Sequence, residues 1–185
     1  MTLQIRPPAL ALLVMAAGCS TLGTKTVYKS DSRRITANAL AFARLEDEDS
    51  LEADFKGTKA VFMMAMMQTL IQYGVEKSFA VDSAISFENP DPKAVADLCR
   101  AKGLDGVLLT KLSFLPPSLS QGWDTEAVVK LLDCAGALVV LASHNTRSGN
   151  SYMLPPELRT TIQDGVQGAV ARVMEESGRK RASGH

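Results

Sequence analysis

Aromatic residues make up only 5% of this chain, and it holds two histidines and one tryptophan. That scarcity leaves little for a histidine-centred catalytic site. His144 sits in a Ser/Asn/Thr/Gly run and reads as a solvated loop residue, and His185 is the last residue. No nucleophile-elbow serine or evident carboxylate partner accompanies either. There is no CxxC and no Cys/His cluster, so neither a zinc centre nor a dithiol redox site is expected. No glycine-rich phosphate loop occurs. The formal net charge is zero, so the basic excess that marks a nucleic-acid-binding domain is lacking and no nucleic-acid partner is expected. The acidic run Glu46-Asp47-Glu48-Asp49 lacks EF-hand spacing and reads as a solvated loop. No catalytic residue, metal or cofactor is assigned. No apolar run approaches the roughly 20 residues that span a bilayer.

What is present begins at the N-terminus. One positive charge, Arg6, precedes the apolar run Leu10 to Met15, which ends in Ala16-Ala17-Gly18-Cys19. A charged start, a short apolar middle and small residues before a cleavage point make a secretory signal peptide over 1–18. The cysteine directly after the small residues resembles the lipobox of bacterial lipoproteins, although Ala16 stands where leucine is commoner. That resemblance implies lipidation of Cys19 as the new N-terminus, with an incidental cysteine behind an ordinary signal peptide as the alternative. Ser20, rather than aspartate, follows. By the same resemblance this implies an outer-membrane location facing the periplasm, with the membrane reached through lipid chains.

Residues 19–32 read as the lipidated terminus and a short tether, because the segment is polar and aperiodic; 20–32 fully extended reaches roughly 45 Å at about 3.3–3.6 Å per residue. A single α/β domain is expected over 33–177, with a flexible basic tail over 178–185. Alternation from Ile35 to Leu45 predicts a strand whose alanines suit close helix packing. A helix is expected over 54–73, capped by Asp54 and stopped by Gly74. Its apolar arc is wider than the usual stripe of about 100°. A strand over 77–85 follows, then a helix opened by Asp91 and Pro92 and ended by Gly103. The apolar strand over 105–114 suits a central position. Strands over 126–132 and 137–143 form a hairpin through Asp133-Cys134-Ala135-Gly136. A last helix runs to about Ser177 with Leu158, Ile162, Val166, Ala169 and Val173 on its core face. Gly165 and Gly168 weaken it but would let it lie close to a sheet. The order β-α-β-α-β-β-β-α predicts a mixed sheet in a two-layer or three-layer sandwich.

Several phrases in this order resemble a group of bacterial envelope proteins that includes the TolB N-terminal domain, CsgG and LpoB. They are Gly57-Thr58-Lys59-Ala60-Val61-Phe62, Tyr73-Gly74-Val75, Ala101 to Leu109, and the Val128 to Gly136 hairpin. The resemblance covers about 33–177 and implies a non-enzymatic part of an envelope assembly. The chain departs from the group in lacking a propeller, long inserted hairpins and a long tether.

Two surfaces are candidates for contacts. If the first three strands are parallel, Trp123, Phe87, Tyr152 and Met153 gather at one sheet edge as a partner-binding surface, tryptophan and tyrosine being favoured anchors; the alternative is that Trp123 folds back as a lid on the core. Met63, Met64 and Met67, with Met66, form either a self-association face or a surface buried between sheet and final helix. Cys99 and Cys134 either pair as a disulfide, which the exported compartment allows, or remain buried thiols. The expected function is that of a lipid-anchored periplasmic accessory or scaffold that binds another envelope component, with homo-oligomerisation possible. The second reading is a small-molecule carrier or sensor.

Overall fold

The computed structural model describes residues 23–82, 85–115, 123–147 and 157–182. Six strands form one mixed sheet: β1 (Gly23–Lys29), β2 (Ala39–Ala43), β3 (Lys77–Val81), β4 (Gly106–Leu115), β5 (Asp124–Asp133) and β6 (Leu138–Asn145). Their spatial order is β1-β6-β5-β4-β2-β3. The set β3, β2 and β4 is parallel, whereas β4-β5, β5-β6 and β6-β1 are antiparallel. The helices are α1 (Glu48–Asp54), α2 (Thr58–Gln72), α3 (Pro92–Lys102) and α4 (Leu158–Glu176). This is the α/β class with a mixed sheet that the sequence predicts.

The crossover through α2 carries the chain to one side of β2, and the crossover through α3 returns it to the other. Right-handed crossovers in opposite directions place their helices on opposite faces. Accordingly α2 and α4 share one core with Leu40, Phe42 and Leu108. Helix α3 contributes Val95 and Cys99 to a second core with Ala39, Ala41 and Ala43. The sandwich therefore has three layers. Strand β2 is buried at all five positions, and its period of two sends large side chains to one face and alanines to the other. The alanine face seats α3, as the sequence suggests. Asp91 accepts a hydrogen bond from the Lys93 amide, Pro92 opens α3, and Gly103 closes it.

Four expectations need correction. The segment taken as a tether over 19–32 contains β1, an edge strand paired with β6 from Gly23↔Asn145 to Lys29↔Val140. Its outer residues are exposed, so it shows no clear apolar alternation, although Thr, Val and Tyr favour strands. Second, the acidic run is not wholly a solvated loop. It enters α1, and Glu48 is 3% exposed, with Lys59 Nζ 2.9 Å away and Arg44 Nε 3.7 Å away. Third, the helix expected over 54–73 starts only at Thr58, as α2, and the shorter α1 over Glu48–Asp54 precedes it. Gly57, at φ 91°, turns the chain between α1 and α2, and Asp54 ends the first rather than capping the second. Fourth, the tail expected over 178–185 is docked in its first part. Arg179 donates to the carbonyls of Thr36 and Gly74 and contacts Asn38 Oδ1, and the Ala182 amide donates to the Gln72 carbonyl.

Candidate functional site

Helix α2 buries Val61, Phe62, Ala65, Met66, Thr69 and Leu70 against the sheet and α4. A helix of 3.6 residues per turn leaves the opposite side in solvent. On that side lie Met64, 48% exposed, Met67, 42% exposed, and Ile71, 63% exposed, in line with exposed Ala60. The steps 60-64-67-71 are four, three and four residues, the spacing of a packing seam between helices. Met63 is half-buried and packs on the core margin. The methionines therefore divide: Met66 belongs to the core, Met63 to its edge, and Met64 and Met67 to the surface. Ile71 and Ala60 complete a stripe that was hidden in the sequence because α2 is apolar on both sides.

Trp123 is half-buried, and its ring stands edge-on to Phe55, with centroids 5.2 Å apart; Phe55 meets Phe114 the same way at 4.9 Å. Trp123 is thus tied to an aromatic cluster beside α1. Phe87 lies elsewhere. It is 6% exposed within the α3-side core, with Lys130 Nζ 4.2 Å from its centroid. The expected grouping of Trp123 with Phe87 therefore does not form, because Phe114 packs on the α2-side core and Phe87 on the opposite one. Tyr152 and Met153 lie outside the described residues, as does Cys19.

Cys99 of α3 and Cys134 of the β5–β6 turn are joined as a disulfide, which ties the α3 layer to the hairpin. His144 is a correction: it belongs to β6, not to a loop, and its half-buried ring lies beneath Gly168 of α4. Its Nδ1 is 2.5 Å from Thr24 Oγ1. Burial lowers its pKa from the usual imidazole value, opposed by the nearby Asp164 carboxylate. Among the described residues no three His, Cys, Asp or Glu side chains are grouped so as to hold a metal ion. No helix among them is long and apolar enough to cross a membrane.

No family model matches the chain, and no curated protein matches it. Solved structures do. The PelC dodecamer from Paraburkholderia phytofirmans in space group P6 superposes with a TM-score of 0.53 at 13% identity, covering 85% of this chain and 98% of that one. A point variant of PelC from the same organism, also a dodecamer, in space group C2, gives a TM-score of 0.52 at 13% identity, covering 82% and 97%. At that identity the likeness is one of fold: the chain shares the architecture of the PelC protomer along most of its length.

Proposed function

We propose that this chain is a lipid-anchored, non-enzymatic subunit of a cell-envelope assembly, and that it associates with copies of itself through the exposed face of α2. The observation that carries the reading is the Ala60-Met64-Met67-Ile71 stripe, an apolar seam at helix-packing spacing on a helix whose other side is already buried. Large exposed apolar side chains in line are a mark of an interaction site. Two supports are independent of it. The neighbours of like fold are dodecamers, and the sequence carries a lipobox-like Ala16-Ala17-Gly18-Cys19. The disulfide fits an exported location.

Strand β1 changes how the anchor would work. From Cys19 to Gly23 the chain reaches at most about 14 Å, so a lipidated Cys19 holds the domain against its membrane. Gly23 pairs with Asn145 at the end of β6, and β6 runs parallel to β4 and β2 through the antiparallel β5. The start of β1 therefore lies at the sheet end where β2, β3 and β4 finish, and that end faces the bilayer.

Metabolic labelling with palmitate, followed by in-cell crosslinking and purification in mild detergent, tests the reading. The account expects label on the wild-type chain, none on Cys19→Ser, and crosslinked complexes built from multiple copies. An unlabelled wild-type chain or a chain recovered only as monomer contradicts it.

A further inference from the structure

Growth beyond a dimer through one kind of contact requires two different surfaces, because a contact between identical surfaces closes at two copies. The α2 stripe is one such surface, and it lies toward the β3 edge of the sheet. Helix α4 packs on β5, β6 and β1, and α2 lies beside it. Buried Ala65 and Gln68, whose side chain reaches Gln167 of α4, mark the flank of α2 toward α4, and Met67 lies on the other flank at 100° per residue. The second surface is at the opposite edge. Apart from the stripe, Val27 and Tyr28 of β1 are the most exposed large apolar side chains among the described residues, at 53% and 44%.

Strands β1 and β3 are the two edges of the sheet. Among the described residues each has one row of backbone groups with no strand beside it, a template for pairing with another chain. Charge decides which pairing is favoured. Strand β1 carries Lys25 and Lys29 and no acid, whereas β3 is flanked by Glu76 and Asp82, with Lys77 between them. Two β1 strands paired antiparallel about their centres would set lysine against lysine, and two β3 strands would set Glu76 against Asp82. Like charges opposed across strands are destabilising. Strand β1 against β3 instead brings Lys25 toward Asp82, and Lys29, which also pairs with Glu176, toward Glu76. Direction and face agree. Strand β1 runs opposite to β3 within the sheet, so copies anchored with the same end on one membrane meet with β1 antiparallel to β3. Antiparallel pairing of like edges would turn one anchored end away from that membrane. Tyr28 is paired with Leu141 and shares its face, the α3 side on which Leu141 and Phe79 both pack.

We propose that copies join head to tail, the β1 edge of one against the β3 edge of the next. Strand β1 adds antiparallel to β3 with Tyr28 opposite Phe79, and the sheet continues from copy to copy. The helical layer continues with it, so the α2 stripe meets the flank of the next copy's α4 above β1. The arrangement rests on the self-association reading and adds which surfaces meet.

Cysteine pairing in the full chain, oxidised in mild detergent, tests it. Tyr28→Cys with Phe79→Cys in one chain should give a ladder of covalent species at successive multiples of the chain mass, collapsed by reductant. Lys25→Cys with Asp82→Cys, at two exposed positions, repeats the test without disturbing a packed side chain. Tyr28→Cys alone should give no covalent dimer, because β1 edges do not meet each other. A multi-copy species in sedimentation with no ladder from either pair, or a covalent dimer from Tyr28→Cys alone, overturns this arrangement and leaves self-association standing. A wild-type chain that is monomeric at every concentration overturns both.

Discussion

Gly168 of α4 lies over the imidazole of His144 on β6 so closely that a β-carbon at 168 would overlap the ring. This contact sets how near the helix approaches the sheet. Gly168→Ala gains about 1 kcal/mol of helix propensity but forces either the ring or the helix to move, and overpacking typically costs about 1–3 kcal/mol. The variant should be less stable than wild type in urea unfolding. Adding His144→Ala should recover part of the loss, because the two sites are coupled. Additive losses would mean that the contact does not set the helix position.

The same histidine makes stability depend on pH. Its folded pKa lies below the ordinary value of 6.5 because burial disfavours the cation. The unfolded chain therefore takes up a proton first as pH falls. The stabilising contribution is complete above about 6.5 and is lost progressively below it, down to the folded pKa. Wild-type stability should decline between pH 7.5 and 5, above the range where ordinary carboxylates titrate, and His144→Gln should flatten the curve. Equal slopes in the two proteins would contradict this.

Glu48 predicts an asymmetry. Its carboxylate is buried, whereas its partners Lys59 and Arg44 keep 48% and 31% of their side chains exposed. Lys59→Met leaves a buried carboxylate with only the more distant Arg44, whereas Glu48→Gln leaves cations that water can reach. The first should cost roughly 1–3 kcal/mol, the range for stranding a buried polar group, and the second less. The reverse order in chemical denaturation would show that Glu48 is better hydrated than its burial implies.

The Cys99–Cys134 bond spans 35 residues. Chain-entropy arguments give a cross-link of this span about 3–4 kcal/mol of stabilisation. Cys99→Ala with Cys134→Ala should lower the denaturation midpoint accordingly while the circular dichroism of the folded protein is kept. A midpoint unchanged by the double substitution would mean that the thiols are not joined in the purified protein.

Sequence legibility followed local chemistry. Asp91-Pro92 and Gly103 bracket α3 because caps and proline act over one turn, and Val107-Leu108-Leu109 marks a central strand because both its faces are covered. Gly165 and Gly168 mark a close approach to the sheet, at Thr125 and Ala127 and at His144 respectively, although the polar residues after His144 give its own segment the look of a loop. Strand β1 was illegible because an edge strand owes its place to β6 rather than to its own pattern. Its side-chain ties to α4, such as Lys29 to Glu176, are surface pairs worth about 0–1 kcal/mol. The α2 stripe was half legible: the methionines stood out, but a helix apolar on both sides does not say which side the sheet takes.

The most direct test of self-association is the mass of the full chain in mild detergent, measured by sedimentation across a concentration series beside Met64→Glu and Met67→Glu. The account predicts a multi-copy species for wild type. Each variant should shift toward monomer while keeping the circular dichroism of the folded wild type, since both side chains are exposed. A wild-type monomer at every concentration, or a multi-copy species unmoved by both substitutions, would contradict the assignment of the α2 face as the contact between copies.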